Sequence, residues 1–351
     1  LDTACAHMRI SAGAGRQPQY AMVFAGEHQA IMKKGGWSRE QVQNYCFEHS
    51  QATVAELKRC NVLPDPVKPE DERALFPVVE TPQDLLVFAA GGDGDGLAIV
   101  TGASTLIGEG VVRAFAAAGT KVVMADINEA DGKRIANEIG DDVAFVRTDI
   151  TSDADIDACI AFGERTFGGV DILINLASTY LDNGIGTNRE DWLASLNVNL
   201  VSAMVFCDKV TPVIAKRGGG AIVNFASISG KRAQPGRMTY SAAKAALLQV
   251  TRNAAMQLQP RNIRVNSVSP GWTWSNIMVQ LTGGKREKAD NVAAPFHLLR
   301  RTGDPSEVAA AVLFLCSDEA SFITGTDIAV DGGYTAMGPE RIDNAVSKLA
   351  E

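Results

Sequence analysis

The stretch LAIVTGASTLIG, from Leu97 to Gly108, decides the fold that this sequence predicts. It opens with a continuous apolar run, LAIV, which is typical of a strand buried on both faces. A glycine turn follows, and a helix is predicted from Gly108 to about Ala118, with Gly119 suited to its end. A strand that leads through a glycine turn into a helix is the first unit of a repeating β-α pattern.

The β-α pattern continues from this stretch almost to the end of the chain. The predicted strands are Leu97–Val100, Lys121–Asp126, Val143–Asp149, Asp171–Ala177, Ala221–Ser227, Arg264–Pro270 and Asp327–Gly333. The further predicted helices are Glu129–Ile139, Asp153–Phe167, Asp191–Lys216, Tyr240–Gln259 and Ser306–Leu315. Strands that alternate with helices pair in parallel through right-handed crossovers. We therefore expect an α/β fold with a doubly wound, mostly parallel, seven-stranded Rossmann-like sheet and a ligand crevice at the carboxyl ends of its strands.

The first part of the chain lacks the regular β-α alternation of the part that follows. Prolines crowd one stretch between Pro64 and Pro82, and a GGDGDG segment follows at Gly91–Gly96. Such punctuation marks loops and linkers. We therefore expect a boundary near residue 94, between an N-terminal extension (residues 1–94) of unknown role and a larger domain (residues 95–351).

The extension is predicted to form a single β-α-β fragment. Strands are expected at Ala21–Phe24 and Asp84–Ala90, and a helix is expected from Arg39 to about Lys58. Ser38 and Gln41 form a capping box at the start of that helix. A fragment of this size buries its own faces poorly, so we expect it to pack on the larger domain or on another subunit.

Composition and charge exclude several classes of protein. The 351 residues are 46% hydrophobic and 21% charged, which argues against wholesale disorder. A net charge of −8 argues against a nucleic acid or an anionic membrane as partner, and no continuous apolar run reaches the roughly 18 residues of a bilayer span. The six cysteines lack a Cys-x-x-Cys pair and no secretory signal is evident, so we expect reduced thiols in a cytoplasmic protein. The four histidines are far apart, and we expect no metal site.

The glycine turn and the two following strand ends predict a dinucleotide site. Gly102 and Gly108 let the backbone approach a pyrophosphate, and the helix that follows offers free N–H groups and a partial positive charge. Asp126 ends the second strand, where a carboxylate can bind the adenosine ribose hydroxyls and repel a 2′-phosphate. The turn residues Ser104 and Thr105 are neutral, which favours NAD over NADP. The alternative for Asp126 is a helix cap.

Three residues further along the chain carry the reaction chemistry. Tyr240 and Lys244 are four apart in YSAAK, so they share one face of a predicted helix, and Ser227 ends the fifth strand. A free phenol has a pKa of about 10, too high for an efficient base at neutral pH. We expect the Lys244 ammonium to lower the pKa of Tyr240 and the Ser227 hydroxyl to hold a substrate oxygen. Such a set suits hydride exchange with a secondary alcohol or a ketone.

From about Leu97 to Met337 the chain resembles the short-chain dehydrogenase/reductase family, in which a T-G-x-x-x-G-x-G turn binds NAD(P). The resemblance implies catalytic roles for Asn199, Ser227, Tyr240 and Lys244, with Asn199 holding a water of a proton relay. The residues implied or placed around the dinucleotide are Thr101, Gly102, Ser104, Thr105, Leu106, Ile107, Gly108, Asp126, Asp149, Ile150, Asn175, Ala177, Tyr240, Lys244, Pro270, Gly271 and Thr273. For Asp149, which could meet the adenine amino group, a turn or cap is the alternative. Thr324–Gly333 resembles a strand that often packs in a homotetramer, so a homo-oligomer, tetramer or dimer, is expected.

Two departures from the family pattern support an alternative. Leu106 replaces the middle glycine of the turn, where a positive φ would strain it, and the family's N-N-A-G reads Asn175-Leu176-Ala177-Ser178. The alternative is a non-catalytic dinucleotide-binding or scaffold protein, which has no need of a tuned phenol. Among enzymes, an enoyl reductase is less expected because that relative spaces its Tyr and Lys farther apart, and a nucleotide-sugar epimerase because its glycine pattern differs.

The segment Trp272–Arg301 is predicted to form a lid over the crevice. Its apolar residues are Trp272, Trp274, Ile277, Met278, Leu281 and Phe296. Gly283 and Gly284 could serve as its hinge. Three cations, Lys285, Arg286 and Lys288, could meet an anionic group, and a solvated face is the alternative. The substrate itself is not identified by these residues.

Overall fold

The structure is a computed structural model that describes residues 6–10, 19–23 and 96–338. The chain divides into two compact units, Leu1–Gly91 and Gly92–Glu351. In the first unit, β1 (Ala6–Ile10) pairs antiparallel with β2 (Gln19–Val23). The β2 strand overlaps the strand predicted at Ala21–Phe24, but its partner was not predicted. The helix and second strand predicted for this unit lie outside the described residues.

The second unit is built on a sheet of seven strands in the order β5-β4-β3-β6-β7-β8-β9. The strands are β3 (Leu97–Thr101), β4 (Lys121–Asp126), β5 (Val143–Arg147), β6 (Ile172–Asn175), β7 (Gly220–Phe225), β8 (Ile263–Pro270) and β9 (Asp327–Val330). Every neighbouring pair in it is parallel. The chain leaves β3 on one side toward β4 and β5 and later returns to the other side at β6. This confirms the predicted doubly wound, Rossmann-like fold and creates a crevice where the direction reverses.

Helices cover both faces of this sheet. They are α1 (Leu106–Ala117), α2 (Glu129–Ile139), α3 (Asp153–Phe167), α4 (Arg189–Leu196), α5 (Ser202–Lys216), α6 (Thr239–Leu258), α7 (Asn276–Thr282), α8 (Arg286–Ala293) and α9 (Pro305–Cys316). On one face, residues of α3 and α5 form a core with Leu97 and Ile99 of β3. Since strand side chains alternate between faces, Ala98 and Val100 point to the other face, where α1 and α9 pack on each other.

One long helical segment runs from Arg189 to Lys216. It consists of α4, a π-helical turn at Asn197–Val201 and α5, and it corresponds to the helix predicted at Asp191–Lys216. By length and hydropathy alone, this segment is apolar enough to cross a membrane, although 44% of its apolar window is buried inside the unit. Its buried residues, such as Phe206 and Ile214, belong to the sheet-facing core, which accounts for the apolar composition.

Candidate active site

A cavity of about 1100 Å³ lies at the carboxyl ends of the strands. Its lining residues extend from the ends of β4 and β5 to the first turns of α6. The predicted site residues that line it are Gly102, Thr105, Ile107, Asp126, Asp149, Ile150, Ala177, Ser227, Tyr240, Lys244, Pro270, Gly271 and Thr273. The predicted site residues that do not line it are Thr101, Ser104, Leu106, Gly108, Asn175 and Asn199.

The glycine turn joins β3 to α1, and its glycines Gly102 and Gly108 are required for different structural reasons. Gly102 has a φ of +67°, and a Cβ on it would lie 2.8 Å from the Cα of Ala177. A side chain is therefore excluded both by conformation and by the neighbouring loop. Gly108 lies inside α1, and a Cβ there would meet the carbonyl oxygen of Gly102 at 2.2 Å. Gly108 therefore allows close packing of the helix on the turn, and its expected place near a ligand stays a prediction.

Leu106 does not strain the turn as expected. It is the first residue of α1, and it is not among the described residues with positive φ. The expectation of strain is wrong because the helix begins two residues earlier than predicted, which gives Leu106 an ordinary helical conformation. Thr105 caps α1 by accepting from the Gly108 N–H at 3.1 Å. The Leu106 N–H donates to Oδ1 of Asn276, in the lid, at 2.8 Å.

Two of the predicted site residues away from the cavity wall are structural supports. The Thr101 hydroxyl accepts from the N–H groups of Leu176 and Ala177 at 3.0 and 3.2 Å, which fixes the loop after β6. The Asn175 amide donates to Oδ1 of Asn224 at 2.9 Å in the sheet interior. Both side chains are almost fully buried. Both residues support the residues of the cavity wall without lining the cavity. Their positions at strand ends did not allow the sequence to distinguish these two roles.

Asp126 faces the cavity at the end of β4 with a carboxylate held by two backbone donors. Oδ2 accepts from the Ser104 N–H and Oδ1 from the Asn128 N–H, each at 2.9 Å. Asn128, not Asp126, caps α2 by accepting from the Asp131 N–H. An ionised carboxylate has about four lone-pair sites, so both oxygens of Asp126 retain acceptor capacity toward the cavity.

Asp149 lines the same end of the cavity and also serves a turn. Its Oδ1 accepts from the Thr151 N–H at 2.9 Å and from the Thr151 hydroxyl at 2.7 Å. These hydrogen bonds hold the pKa of Asp149 below its usual value. The turn that was the alternative for this residue is therefore formed, and its role toward a cofactor stays a prediction.

Ser227, Tyr240 and Lys244 converge at the other end of the cavity. Ser227 follows β7, and its hydroxyl shares a hydrogen bond with Tyr240. Lys244 lies one turn after Tyr240 on α6, with Nζ 5.5 Å from the centre of the Tyr240 ring. Nζ donates to the carbonyl oxygen of Phe225 at 2.7 Å. The spacing of YSAAK thus places both side chains against the end of β7.

The pKa of Tyr240 shifts in the direction opposite to the expected one. Burial raises it well above 10, and the neighbouring Tyr180 raises it further, whereas the Ser227 hydrogen bond and the Arg237 charge lower it. Burial also lowers the pKa of Lys244 to about 7. The expected lowering by a lysine ammonium is wrong for this structure, because loss of solvation disfavours the charged form of both groups.

Two residues of this end were not predicted from the sequence. Tyr180, in the loop after β6, stacks on Tyr240 with ring centres 4.8 Å apart and an angle of 29°. Arg237 lies over both rings, with its Cζ 5.0 Å from the centre of Tyr180 and 5.7 Å from that of Tyr240. Arg237 lies two residues before the start of α6, so helical periodicity gave no signal for it.

Asn199 and Asp182 position this group from outside the cavity. Asn199, on the π-helical turn, accepts from the Thr179 N–H at 3.0 Å and donates to the Thr179 carbonyl at 2.9 Å, so it fixes the loop that carries Tyr180. Asp182 accepts from the Tyr240 N–H at 3.1 Å at the start of α6. The Asn199 carboxamide is thus occupied by the loop, and its expected water relay stays a prediction.

The predicted lid segment, which contains α7 and α8, forms part of the cavity wall. Of its predicted apolar residues, all but Trp274 line the cavity, together with Ser275 and Asn276, which were not predicted. Of the three cations proposed for an anionic group, Lys288 lines the cavity, while Arg286 is paired with Asp304 at 2.7 Å and is not available to a ligand. In residues 96–338 no group of three or more His, Cys, Asp or Glu residues is placed to hold a metal ion.

Known proteins resemble this chain over the sheet-containing unit. A family model described as Enoyl-(Acyl carrier protein) reductase matches residues 102–335. The chain is 34% identical to 3beta-hydroxysteroid dehydrogenase 2 of Eggerthella lenta, covering 68% of this chain and 94% of that protein. It is also 34% identical to the 3-oxoacyl-(acyl-carrier-protein) reductase FabG of Chlamydia muridarum, covering 67% and 96%. A structure of 7 alpha-hydroxysteroid dehydrogenase complexed with NADH and 7-oxo glycochenodeoxycholic acid matches with a TM-score of 0.64 and 32% identity, covering 68% and 93%.

Proposed function

The chain belongs to the short-chain dehydrogenase/reductase family, and from that membership we propose that it is an NAD-dependent oxidoreductase. Its substrates are secondary alcohols and ketones, and it works through Ser227, Tyr240 and Lys244. The observation that carries this proposal is the meeting of these three side chains at one end of a cavity whose other end is formed by the glycine turn and Asp126. A module that only binds a dinucleotide needs the glycine turn and Asp126, but it does not need the three catalytic side chains.

The cavity suits a dinucleotide, and its adenosine end favours NAD. The N-terminus of α1 opens on it beside Thr105 and Ile107, where a pyrophosphate would be held. Asp126 would accept from the ribose hydroxyls. Its charge would repel a 2′-phosphate, and none of the cavity-lining residues contributed by the ends of β4 and β5 is a lysine or an arginine. When bound, the nicotinamide supplies or accepts the hydride at the substrate carbon.

Tyr240 acts as the acid in ketone reduction. Because its pKa is raised, the phenol is protonated at neutral pH and can donate to a carbonyl oxygen. Ser227 holds the same oxygen by donating its hydroxyl proton. Both groups are buried, so a developing negative charge on the substrate oxygen is stabilised more strongly than it would be in water. Oxidation of an alcohol needs the phenolate and is therefore favoured at higher pH.

Lys244 supplies a buried amine that changes charge near neutral pH. With a pKa of about 7, it can accept or release a proton close to Tyr240 while Phe225 holds its nitrogen in place. The same amine would donate to a cofactor ribose. Asn199 and Asp182 then serve as positioning residues, one for the Tyr180 loop and one for the start of α6.

The proposal is tested by assaying purified protein with NADH and a panel of cyclic and linear ketones, and in reverse with alcohols and NAD. NADPH is run in parallel. We expect ketone reduction with NADH at neutral pH and alcohol oxidation that increases toward alkaline pH. Absence of NADH binding at millimolar cofactor, measured by NADH fluorescence, would instead favour the non-catalytic scaffold.

A second candidate is reduction of an enoyl thioester, which the description of the matching family model favours. The short spacing of Tyr240 and Lys244 favours carbonyl chemistry over it, because the resemblance implies a wider spacing in enoyl reductases. Crotonyl and acetoacetyl thioesters assayed side by side with NADH distinguish the two. Turnover of the crotonyl thioester alone would establish the second candidate.

We also propose that the protein is a cytoplasmic homo-oligomer, a tetramer or a dimer. Leu193 and Met256, on α4 and α6, leave 62% and 72% of their surfaces exposed, and their burial against another copy would be favourable. Light scattering coupled to size exclusion gives the mass in solution. A monomer at micromolar concentration would contradict this proposal.

A further inference from the structure

We propose that Arg237 recognises a carboxylate on the substrate, so that the enzyme acts on anionic keto or hydroxy acids with an apolar body. This inference rests on the proposed function, since it concerns the substrate of the same site. Cofactor binding at the glycine turn does not need Arg237 or an anionic substrate. Proton transfer by Ser227, Tyr240 and Lys244 does not need them either.

Arg237 is held in the cavity wall by ring stacking rather than by an ion pair. Its guanidinium lies over the rings of Tyr180 and Tyr240, and it lines the cavity. Within residues 96–338, none of its five N–H donors makes a hydrogen bond or salt bridge to another side chain. A guanidinium stacked on aromatic rings keeps its planar fork for a carboxylate, which it can bind through two parallel hydrogen bonds.

The protein provides no internal counter-ion for this charge inside the cavity. The carboxylates that line the cavity are Asp126 and Asp149, which follow β4 and β5. In the sheet order these strands lie three and four positions from β7, which leads to Ser227. At about 4.8 Å between neighbouring strands, the separation is roughly 14 and 19 Å. The substrate end therefore presents a cation without a lining carboxylate, and an anionic ligand would complete it.

The lid segment contributes a mostly apolar wall to the substrate end. Trp272, Met278 and Phe296 of the lid segment face the cavity. Such a surface suits a hydrocarbon ring or chain, whereas Arg237, Lys288 and the catalytic hydroxyls bring charged and polar groups to the cavity lining. Because Arg237 stacks on Tyr240 itself, the carboxylate it binds and the carbonyl that Tyr240 protonates must belong to one compact molecule.

The experiment compares keto acids with their methyl esters on identical carbon skeletons, in a short series of ring and chain compounds. Arg237→Gln removes the charge, Arg237→Lys keeps the charge without the fork, and Lys285→Gln removes an exposed lid cation that does not line the cavity. Each variant is assayed for kcat and KM, and its fold is checked by circular dichroism and thermal melting. A carboxylate without a carbonyl, cyclohexanecarboxylate, is titrated against tryptophan fluorescence, since Trp272 lines the cavity.

We expect the unaltered enzyme to prefer acids over esters at least tenfold in kcat/KM. Arg237→Gln should lower the acid-to-ester ratio of kcat/KM at least tenfold, mainly through a higher KM for acids. Arg237→Lys should recover part of the loss, because lysine keeps the charge but not the bidentate geometry. Lys285→Gln should stay within twofold on both. An equal fall on acids and esters would mean that Arg237 acts through Tyr240, and the inference would be overturned.

The outcomes also separate this inference from the proposed function. Turnover of ketones with no preference for acids overturns the inference and leaves the function standing. Quenching by cyclohexanecarboxylate that depends on Arg237, without turnover of any ketone, supports the carboxylate site and contradicts the proposed function. If the protein shows neither ketone turnover nor fluorescence quenching, both the inference and the proposed function are contradicted.

Discussion

Replacement of Lys244 by methionine should change how the stability of the protein depends on pH. Lys244 is 2% exposed, and burial lowers its pKa to about 7 from the ordinary value of 10.5. Methionine has a similar length and no charge. The Lys244→Met protein loses the hydrogen bond to the Phe225 carbonyl, which lowers its stability at every pH. The pH-dependent part of the difference in unfolding free energy reports the buried amine, whereas the lost hydrogen bond contributes a constant difference.

The sign follows from the protons bound in each state. Between pH 7 and 10.5 the unfolded chain holds the lysine proton more tightly than the folded chain, so the free energy of unfolding rises with pH. The penalty for the buried charge is complete below pH 7 and absent above 10.5. For these two pKa values, linkage gives a rise of about 2 kcal/mol from pH 7 to 8.5. Lys244→Met should lack this rise.

Urea unfolding followed by circular dichroism at several pH values between 7 and 8.5 measures the difference between the two proteins. The range ends below 9 because burial raises the pKa of Cys159, Cys207 and Cys316 to about 12, so these thiols destabilise the folded state above pH 9 in both proteins. Lys285→Gln, which removes an exposed amine, is the control and should parallel the unaltered protein. A constant difference between the unaltered protein and Lys244→Met would refute a depressed lysine pKa.

Three further predictions concern the cofactor end and the positioning residues. Asp126→Ser should weaken NADH binding at least tenfold and narrow the preference over NADPH, both measured by fluorescence titration, since the charge that repels a 2′-phosphate is gone; an unchanged preference would contradict the role of Asp126. Asn276→Asp should weaken NADH binding more than Asn276→Ala does, because it places a negative charge on the Leu106 N–H where a phosphate would bind; equal affinities would contradict that placement. Asn199→Ala removes both hydrogen bonds to the half-buried Thr179 backbone, and with about 0.5–1.5 kcal/mol per hydrogen bond it should lower Tm by about 2–6 °C in differential scanning calorimetry; an unchanged Tm would contradict it.

The sheet was predictable because its signals are local. Apolar runs such as Leu97–Val100 and Lys121–Asp126 are short and separated by amphipathic stretches, and parallel pairing follows from that alternation. The ordered residues Ser227, Tyr240 and Lys244 were also predictable as members of one cavity, since strand ends and helix turns fix their places.

What the sequence did not reveal depends on contacts between distant segments. Tyr180 meets Tyr240 only because the loop after β6 reaches the start of α6, and the direction of the Tyr240 pKa follows from burial first and from the neighbouring Tyr180 second. Arg286 was a candidate for an anion, but its pairing with Asp304, 18 residues away, occupies it. Burial and pairing of this kind are set by tertiary packing and leave no periodic trace in the chain.

The central claim is that the Tyr240 phenol transfers the proton while a nicotinamide is bound beside it. Tyr240→Phe removes one oxygen and keeps the ring stacked against Tyr180. The direct measurement is the steady-state reduction of a ketone by this variant, with its NADH affinity determined by fluorescence on the same preparation. We expect turnover to fall by at least 10²-fold, the scale of a lost general acid, with NADH affinity within threefold of that of the unaltered enzyme. Full turnover with bound NADH would contradict the assignment of Tyr240 as the proton donor.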